Sequence, residues 1–324
     1  MAQLSDDCFA FNGPLLPVAD AERLIVERVS PVSECETVTL REASGRVLAE
    51  DIIAPVNVPP FDNSAVDGYA VRAANLDAKG ETRLTIVDRV AAGHDATHAL
   101  RAKEAIRIFT GAPMPDGADT VFMQEDCRVA GGAVVVPPGL KLGANRRLAG
   151  EDMRAGAVAL PAGRRLAVQH VALAAALGLT ALKVRRRVRV ALFSTGDEIV
   201  EPGARLPPSA LYDSNRYLLA GLIARLGAGV TDLGILSDDP QQLARAIAKA
   251  AEDHDLVLTS GGVSTGEADY VRGAVESIGR IVFWRVAIKP GRPVAMGVVP
   301  AGKIGHSAAF QKEHRTCRST RTTP

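Results

Sequence analysis

Residues 188–198 read Val188-Arg189-Val190-Ala191-Leu192-Phe193-Ser194-Thr195-Gly196-Asp197-Glu198, an apolar run that passes directly into hydroxyl, glycine and acidic residues. The run over residues 188–193 predicts a buried strand, and the polar residues after it predict a strand-end loop. After this loop the pattern alternates between helix (214–226), strand (230–236), helix (240–251) and strand (256–259). Such alternation predicts a doubly wound, mostly parallel sheet over residues 187–299. Ligands bind such sheets at the carboxyl ends of the strands.

A second strand-end loop, after residue 259, is rich in glycine and hydroxyl residues. It reads Ser260-Gly261-Gly262-Val263-Ser264-Thr265-Gly266-Glu267-Ala268-Asp269. Its backbone N–H groups and the start of the next helix are suited to an anion, which predicts phosphate binding by Ser260, Gly261, Gly262, Ser264 and Gly266. The alternative is a tight connection that needs positive φ at glycine. Neither a Walker A loop nor a G-x-G-x-x-G fingerprint is present.

Acidic residues follow the same strand ends. Glu198 with Asp197, Asp238 with Asp239, and Asp269 come from three separate loops. Mg²⁺ is usually held by one or two carboxylates together with substrate phosphates, so acids at these strand ends are candidate metal ligands. The alternative for Asp238 or Asp239 is capping of the following helix, and for Asp269 a favourable place in a first helical turn.

The chain before residue 187 has a different pattern. Residues 61–147 contain short apolar runs between Gly, Pro and Asp turns, which is typical of a small β-barrel-like domain; these runs lie at 84–87, 106–109, 120–123 and 133–136. A helix over 19–30, whose start Asp20 is placed to cap, a strand over 36–40 and a helix over 168–177 flank this region. We therefore predict a discontinuous linking domain made of residues 1–60 and 148–186. The whole chain is thus predicted to be a multidomain α/β and β protein.

Polar segments border the β domain and the end of the sheet domain. Residues 61–70 carry two Asp, an Asn and a Ser, more than a turn requires. Basic residues at Arg146-Arg147 and at Lys289 and Arg292 are suited to phosphate or oxyanion groups, although charge runs are more often solvated faces.

Composition and charge exclude several classes. The 324 residues include 38 Lys+Arg and 37 Asp+Glu, a balance that gives no support to nucleic-acid binding. Cysteines at Cys8, Cys35, Cys127 and Cys317 lack CxxC spacing, so neither a zinc site nor a disulfide scaffold is predicted. An acidic N-terminus and the lack of a long apolar run predict a cytoplasmic protein with no membrane partner.

Seven segments resemble, in order, the motifs of the molybdopterin molybdotransferase family, to which the gephyrin E domain is related. They are 61–71, 110–113 with 123–125, 150–152, 193–198, 212–216, 260–270 and 288–293. The resemblance covers about residues 19–297. It implies Mg²⁺-dependent insertion of molybdate into adenylylated molybdopterin with release of AMP. It also implies a homodimer, with the molybdopterin adenylyltransferase and molybdoenzyme targets as further partners.

The resemblance also implies roles for individual residues. The implied catalytic set is Asp67, Thr110, Asp152, Glu198, Asp238 and Asp269, with Glu198, Asp238 and Asp269 as metal ligands. The implied cofactor-binding set is Arg147, Ser260, Gly261, Gly262, Ser264, Gly266, Arg285, Lys289 and Arg292, with Lys289 and Arg292 for molybdate. In the family the cleft lies between the sheet domain of one subunit and the β domain of the other. At the positions of Arg285 and Arg292, lysine is commoner in the family. Arginine keeps the positive charge but changes the shape of the charged group.

The resemblance does not continue beyond residue 297. The family pattern goes on with a Gly-Leu-Pro-Gly-Asn-Pro loop, a helix and a final β domain, whereas residues 300–324 are basic and polar without apolar periodicity. We expect an aberrant tail produced by a reading frame lost near Pro300, and impaired activity. A natural basic tail is the alternative. AMP release at the rate of a full-length relative would contradict the expected impairment.

Two other functions are compatible with the sheet motifs. One is a molybdopterin adenylyltransferase, which shares the Ser-Gly-Gly type of loop but has no use for the β domain. The other is a non-catalytic molybdopterin-binding or scaffold homologue. Incubation with ATP and molybdopterin tests the first alternative, and binding without turnover would indicate the second.

Overall fold

The computed structural model describes residues 15–262, 270–288 and 294–300. The helices are α1 (Val18–Arg28), α2 (Val168–Ala176), α3 (Asn215–Arg225), α4 (Pro240–Asp253) and α5 (Tyr270–Ile278). The strands are β1 (Cys35–Thr39), β2 (Ile52–Ile53), β3 (Asn63–Ser64), β4 (Gly68–Val71), β5 (Thr82–Val90), β6 (Glu104–Ile108), β7 (Thr120–Met123), β8 (Arg128–Ala130), β9 (Ala133–Val136), β10 (Arg146–Arg147), β11 (Val158–Leu160), β12 (Ala181–Arg185), β13 (Arg189–Thr195), β14 (Ile199–Val200), β15 (Leu211–Tyr212), β16 (Gly229–Leu236), β17 (Leu256–Ser260), β18 (Arg280–Trp284) and β19 (Ala295–Val298). The chain divides into two compact units, Ser33–Arg186 and Met1–Val32 with Arg187–Pro324.

The unit that contains residues 187–300 is built on a parallel sheet with the strand order β16-β13-β17. Successive side chains of β13 point to opposite faces, as a strand requires. Val190 and Leu192 pack with Ile223 of α3, whereas Phe193 packs with Leu243 of α4 on the other face. The helices therefore cover both faces, and the predicted doubly wound sheet is confirmed.

Helix α1 belongs to this same unit. Its Ala21 is buried in a cluster with Phe283 and Val286, next to the antiparallel pair β18–β19. Residues 15–32 thus group with the sheet unit, whereas the sequence pattern predicts them in the linking domain. The predicted cap is also different: Pro17 occupies the N-cap position, and Asp20 lies in the first turn, where it accepts a hydrogen bond from Arg23 at 3.0 Å.

The other unit contains a core built from segments before and after the β domain. Strand β1 pairs with β12 and β2 pairs with β11, both antiparallel. Leu48, Leu166, Leu177 and Val184 are buried together in this core. These segments are far apart in sequence, and the strands between them form a sheet of their own.

That lobe is a six-stranded sheet with the order β7-β4-β6-β5-β9-β8. Strand β4 is buried along its whole length, with Tyr69 and Val71 in one apolar cluster and Ala70 in another. Gly68 is the first residue of this strand. A larger residue would not fit, because a Cβ there would lie 1.8 Å from the carbonyl oxygen of Phe122. The β-rich lobe places the start of β4 and the end of β6 side by side.

Within residues 15–262, 270–288 and 294–300, none of the helices is both long and apolar enough to cross a bilayer.

Candidate functional site

Asp67 and Thr110 form one pair of predicted site residues. Strands β4 and β6 are antiparallel with Gly68 opposite Ile108, so the residue before β4 meets the residues after β6. The backbone N–H and the hydroxyl of Thr110 both donate to Oδ1 of Asp67, at 2.8 and 2.7 Å. These bonds, from the backbone first and the hydroxyl second, lower the pKa of Asp67, and the nearby Arg107 adds to the effect. Asp67 is thereby held as a carboxylate at a half-buried position.

Arg147 and Asp152 form a second pair. Nη2 of Arg147 donates to Oδ2 of Asp152 at 2.7 Å, and its Nε donates to Glu151 at 3.4 Å. The bond to Asp152, followed by the bond to Glu151, raises the pKa of the guanidinium. A half-exposed cation is therefore fixed in orientation by two acids that follow it in the chain.

The short strand β3 connects these two pairs. It pairs antiparallel with β10, so Asn63 lies opposite Arg147. On its other side, Ser64 accepts a hydrogen bond from the N–H of Gly111 at 2.8 Å and donates its own N–H to Ala112 at 3.0 Å. The loop that carries Thr110 and the strand β10, which ends at Arg147, are therefore both bonded to β3. The structure brings together the polar segments that the sequence singles out around the β domain.

Asp62 and Arg146 have a structural role in this arrangement. Nε of Arg146 donates to Oδ2 of Asp62 at 3.0 Å, and the N–H of Ala149 donates to Oδ1 at 2.7 Å. The Ala149 N–H and then Arg146 lower the pKa of Asp62. Of the adjacent arginines 146 and 147, the first is used to hold the loop, and the second extends beside Asp152.

Arg107 is a neighbour of Asp67 that sequence reasoning missed. Its guanidinium lies 4.9 Å from the ring centroids of both Tyr69 and Phe109, and it donates to the carbonyl of Gly68 at 3.3 Å and to the side chain of Gln124. Cation–π contacts of this kind stabilise a fixed orientation. The available signal was the alternation Ile106-Arg107-Ile108, which places one charged side chain on the face opposite two buried ones.

The two acids that follow β16 have different roles. Asp239 is the N-cap of α4 and accepts from the N–H of Gln242 at 2.8 Å. Asp238 instead accepts a hydrogen bond from the hydroxyl of Thr195, the last residue of β13. The capping alternative therefore applies to Asp239, and Asp238 faces the neighbouring strand end.

Glu198 lies in the loop after β13 and is exposed. A Cβ built on Gly196 would lie 2.8 Å from Oε2 of Glu198, so the carboxylate is folded back over this glycine. The carbonyl of Glu198 accepts from the N–H of Leu211 at 2.9 Å, at the point where β14 pairs with β15. The backbone of Glu198 is thus held by a two-stranded ribbon.

The glycines after β17 pack on the same Thr195. Gly261 has φ +98°, and a Cβ there would lie 2.2 Å from the carbonyl oxygen of Thr195. Gly262 has φ +67°, and its Cβ would lie 2.3 Å from Cγ2 of Val271. Conformation and close approach each require glycine at these positions, so their presence has a structural cause. Ser260 ends β17 opposite Ser194. Ser264, Gly266 and Asp269 lie outside the described residues.

Arg285 follows β18 and has a left-handed backbone with φ +67°. Its N–H donates to Val294 at 3.0 Å, and its carbonyl accepts from Leu16 at 3.2 Å. A residue with a side chain in this conformation is uncommon, and such strain often occurs at functional positions. Lys289 and Arg292 lie outside the described residues.

The predicted metal ligands are not all within the described part of the chain. Among those residues, no group of three or more His, Cys, Asp and Glu side chains is arranged to hold a metal ion. Glu198 and Asp238 are described, but Asp269 is not. The three-carboxylate site stays a prediction.

Two family models match most of the chain. Residues 16–178 match the model described as "MoeA N-terminal region (domain I and II)", and residues 191–310 match the model described as "Probable molybdopterin binding domain". The molybdopterin molybdenumtransferase of Haemophilus influenzae is 40% identical over 284 residues, and that of Nostoc sp. is 39% identical over 294 residues. These alignments cover 87% and 89% of this chain, and 70% and 67% of the relatives.

Solved structures give the same result. Two structures of the molybdopterin biosynthesis MoeA protein of Pyrococcus horikoshii match with TM-scores of 0.72 and 0.76 at 34% and 33% identity. The matches cover 89% and 88% of this chain, and 73% and 72% of the Pyrococcus horikoshii chains. Both the sheet unit and the β-rich unit therefore have counterparts in known proteins of one kind.

Proposed function

This chain belongs to the molybdopterin molybdenumtransferase family, and we propose that it inserts molybdate into adenylylated molybdopterin with release of AMP. It is a transferase of molybdenum cofactor biosynthesis, as the sequence predicts. We also propose that the reaction uses the adenylylated substrate, releases AMP and needs Mg²⁺.

The observation that carries the proposal is the set of groups at the carboxyl end of β13. The hydroxyl of Thr195 bonds to Asp238, the exposed Glu198 follows three residues later, and the Gly261-Gly262 turn packs on the same threonine. Parallel sheets bind ligands at this edge. Two carboxylates beside a glycine turn suit a substrate that carries phosphate groups.

The donors at this edge also fit Mg²⁺. They are carboxylate oxygens, the ligands that a hard cation prefers, and Asp239 is not among them because its carboxylate caps α4. Glu198 and Asp238, together with Asp269, would hold the ion. When bound, Mg²⁺ would neutralise charge on the oxygens of the phosphoanhydride.

The chain's own residues supply orientation and charge. Thr195 fixes one oxygen of Asp238 by its hydrogen bond. Arg147, held by Asp152, presents an oriented cation for the anionic substrates, and Asp67, kept ionised by Thr110, is suited to orient an attacking oxygen. Lys289 and Arg292 are proposed to bind molybdate because a tetrahedral dianion needs fixed cationic donors.

We also propose a location and partners for this chain. A homodimer, a cytoplasmic location, and exchange with the molybdopterin adenylyltransferase and with molybdoenzyme targets follow from the family resemblance. Sedimentation of the purified chain tests the dimer: a single monomeric species at micromolar concentration would contradict it.

The proposed reaction is tested by AMP release in the presence of molybdate and Mg²⁺. Asp238→Asn removes a carboxylate aimed at the neighbouring strand end, so we expect release to fall by about 100-fold. Asp239→Asn is the matched control, since asparagine is as good a cap as aspartate and the rate should stay near that of the parent. Equal rates for the two variants would contradict the assigned roles. Formation of adenylylated product from ATP and molybdopterin would favour an adenylyltransferase instead.

A further inference from the structure

A buried arginine bonds to acids that flank the two-stranded ribbon after Glu198. Arg216, near the start of α3, is 3% exposed, and Asp213 beside it is 4% exposed. Nε of Arg216 donates to Oδ2 of Asp213 at 2.8 Å, and its backbone N–H donates to Oδ1 of the same residue at 3.1 Å. Burial of a cation is unfavourable unless it is paired and hydrogen-bonded, so this arginine depends on its acidic neighbours.

Two more carboxylates complete the set of bonds. Nη1 of Arg216 donates to Oδ1 of Asp232 at 2.6 Å, and Nη2 donates to Glu201. The hydroxyl of Tyr217 donates to the other oxygen of Glu201. The bonds from Arg216 lower the pKa of Asp232, and the same bonds raise the pKa of the arginine. The cation is thus bound on all of its nitrogens.

The three acids come from three different segments. Asp213 follows β15, Glu201 follows β14, and Asp232 is part of β16. One guanidinium therefore ties the β14–β15 ribbon to the strand β16. Without the cation, three carboxylates would be left close together and would repel one another.

The segments that Arg216 joins are those that carry the proposed metal ligands. The ribbon begins one residue after Glu198, whose carbonyl accepts from Leu211 of β15 at 2.9 Å. Asp213 itself donates its N–H to the carbonyl of Val200 in β14 at 2.9 Å. Strand β16 ends two residues before Asp238. The network therefore joins the ribbon that follows Glu198 to the strand that precedes Asp238.

We propose that Arg216 is a positioning residue that holds Glu198 and Asp238 in register for a divalent cation. It acts through Asp213, Glu201 and Asp232 and does not touch the cation. This role rests on the proposed function, because it requires that Glu198 and Asp238 bind the metal. Nothing in the family resemblance assigns a role to this arginine.

The test uses Mn²⁺ as the probe and measures its binding to the full chain by electron paramagnetic resonance. Arg216→Lys keeps the charge but loses the planar set of donors, so it cannot bond to three carboxylates at once. We expect the Kd for Mn²⁺ to rise by about 10-fold, the lower end of the effect of residues that orient metal ligands. Asp232 is half-exposed. Asp232→Asn should therefore also raise the Kd for Mn²⁺, with less risk to folding.

A matched control is Arg46→Lys in the other unit. Arg46 is 6% exposed, bonds to Glu36 and donates to the carbonyl of Arg185 at 2.8 Å. Its replacement should lower the Tm without changing the Kd for Mn²⁺. Circular dichroism of Arg216→Lys, Asp232→Asn and Arg46→Lys tests whether each variant is folded.

The outcomes separate the two claims. Folded Arg216→Lys and Asp232→Asn chains that bind Mn²⁺ as the parent does would overturn the positioning role while the proposed function stands. If Arg216→Lys fails to fold, Asp232→Asn decides alone. A parent chain that does not bind Mn²⁺, or whose binding is unchanged by Glu198→Gln, would overturn the metal site and this inference with it. Recovery of the AMP-release rate in Arg216→Lys at high Mg²⁺ would support positioning over a direct part in the reaction.

Discussion

At Asp67, a single neighbour donates both of the hydrogen bonds that stabilise the charged carboxylate. Thr110 donates its N–H and its hydroxyl to the same oxygen, Oδ1. Thr110→Ala removes the hydroxyl and leaves the backbone bond, so the pKa of Asp67 should rise part of the way towards its ordinary value. Carboxyl ¹³C NMR titration measures this change. The acid limb of the rate profile should move to higher pH in the variant, because the ionised form is then lost earlier as the pH falls.

Asp77 serves as an internal control for that titration. The backbone N–H groups of Lys79 and Gly80 lower its pKa, and Thr110 contributes nothing to it. It should titrate alike in both proteins. An unchanged Asp67 in Thr110→Ala would show that the hydroxyl bond has no energetic effect.

Single residues were only partly predictable from the sequence. The polar excess over residues 61–70 was visible, but the bond from Thr110 to Asp67 depends on the register of β4 against β6, which joins residues more than 40 positions apart. The role of Arg107 was hidden for the same reason. By contrast, Asp239 precedes Pro240, and proline at the first helical position was a local signal that Asp239, and not Asp238, is the cap.

At the scale of elements, the glycine turn after β17 packs closely against Thr195 and Val271. Gly262→Ala adds a methyl group where Val271 is 2.3 Å away and forces alanine to φ +67°. We expect a loss of about 2 to 4 kcal/mol in the stability of the sheet unit, from left-handed strain together with overpacking. Urea unfolding followed by a probe in this unit measures it.

Gly203→Ala in the same unit is the comparison for that variant. Gly203 has φ +91° with nothing within 4 Å of its Cβ position, so alanine there costs only the backbone strain, about 1 kcal/mol. Equal losses of stability in Gly262→Ala and Gly203→Ala would mean that the residues around Gly262 move to accommodate the methyl group.

Elements with strong periodicity were predictable, and their ends less so. The predicted helix over residues 240–251 is observed as Pro240–Asp253, and the predicted strand over 188–193 is observed as Arg189–Thr195. The strand is longer because Ser194 and Thr195 pair with β17 and β16, a long-range effect. The cap predicted at Asp20 was wrong because Pro17 precedes a helix that begins earlier, at Val18.

At the scale of the whole molecule, the unit Ser33–Arg186 has cores of its own. Residues 33–186 should therefore fold as an isolated fragment, because a chain of this size buries enough apolar surface. Its amide NMR spectrum should overlay that of the same residues in the full chain. A spectrum with the narrow dispersion of an unfolded chain would show that the unit depends on the rest of the protein.

The fold class and family were predictable from the order of motifs along the chain, and both are confirmed. The grouping of residues 15–32 was not, because it depends on where Ala21 finds buried apolar partners, and these lie more than 250 residues away at Phe283 and Val286. The limits of the linking domain stay a prediction.

We propose that this chain places molybdenum on molybdopterin. The most direct measurement supplies the chain with adenylylated molybdopterin, molybdate and Mg²⁺, and then follows the activation of a molybdenum-free molybdoenzyme. We expect activation that requires molybdate and the chain together, and that is lost in Asp238→Asn but kept in Asp239→Asn. Binding of adenylylated molybdopterin with no activation above a control without the chain would contradict the claim.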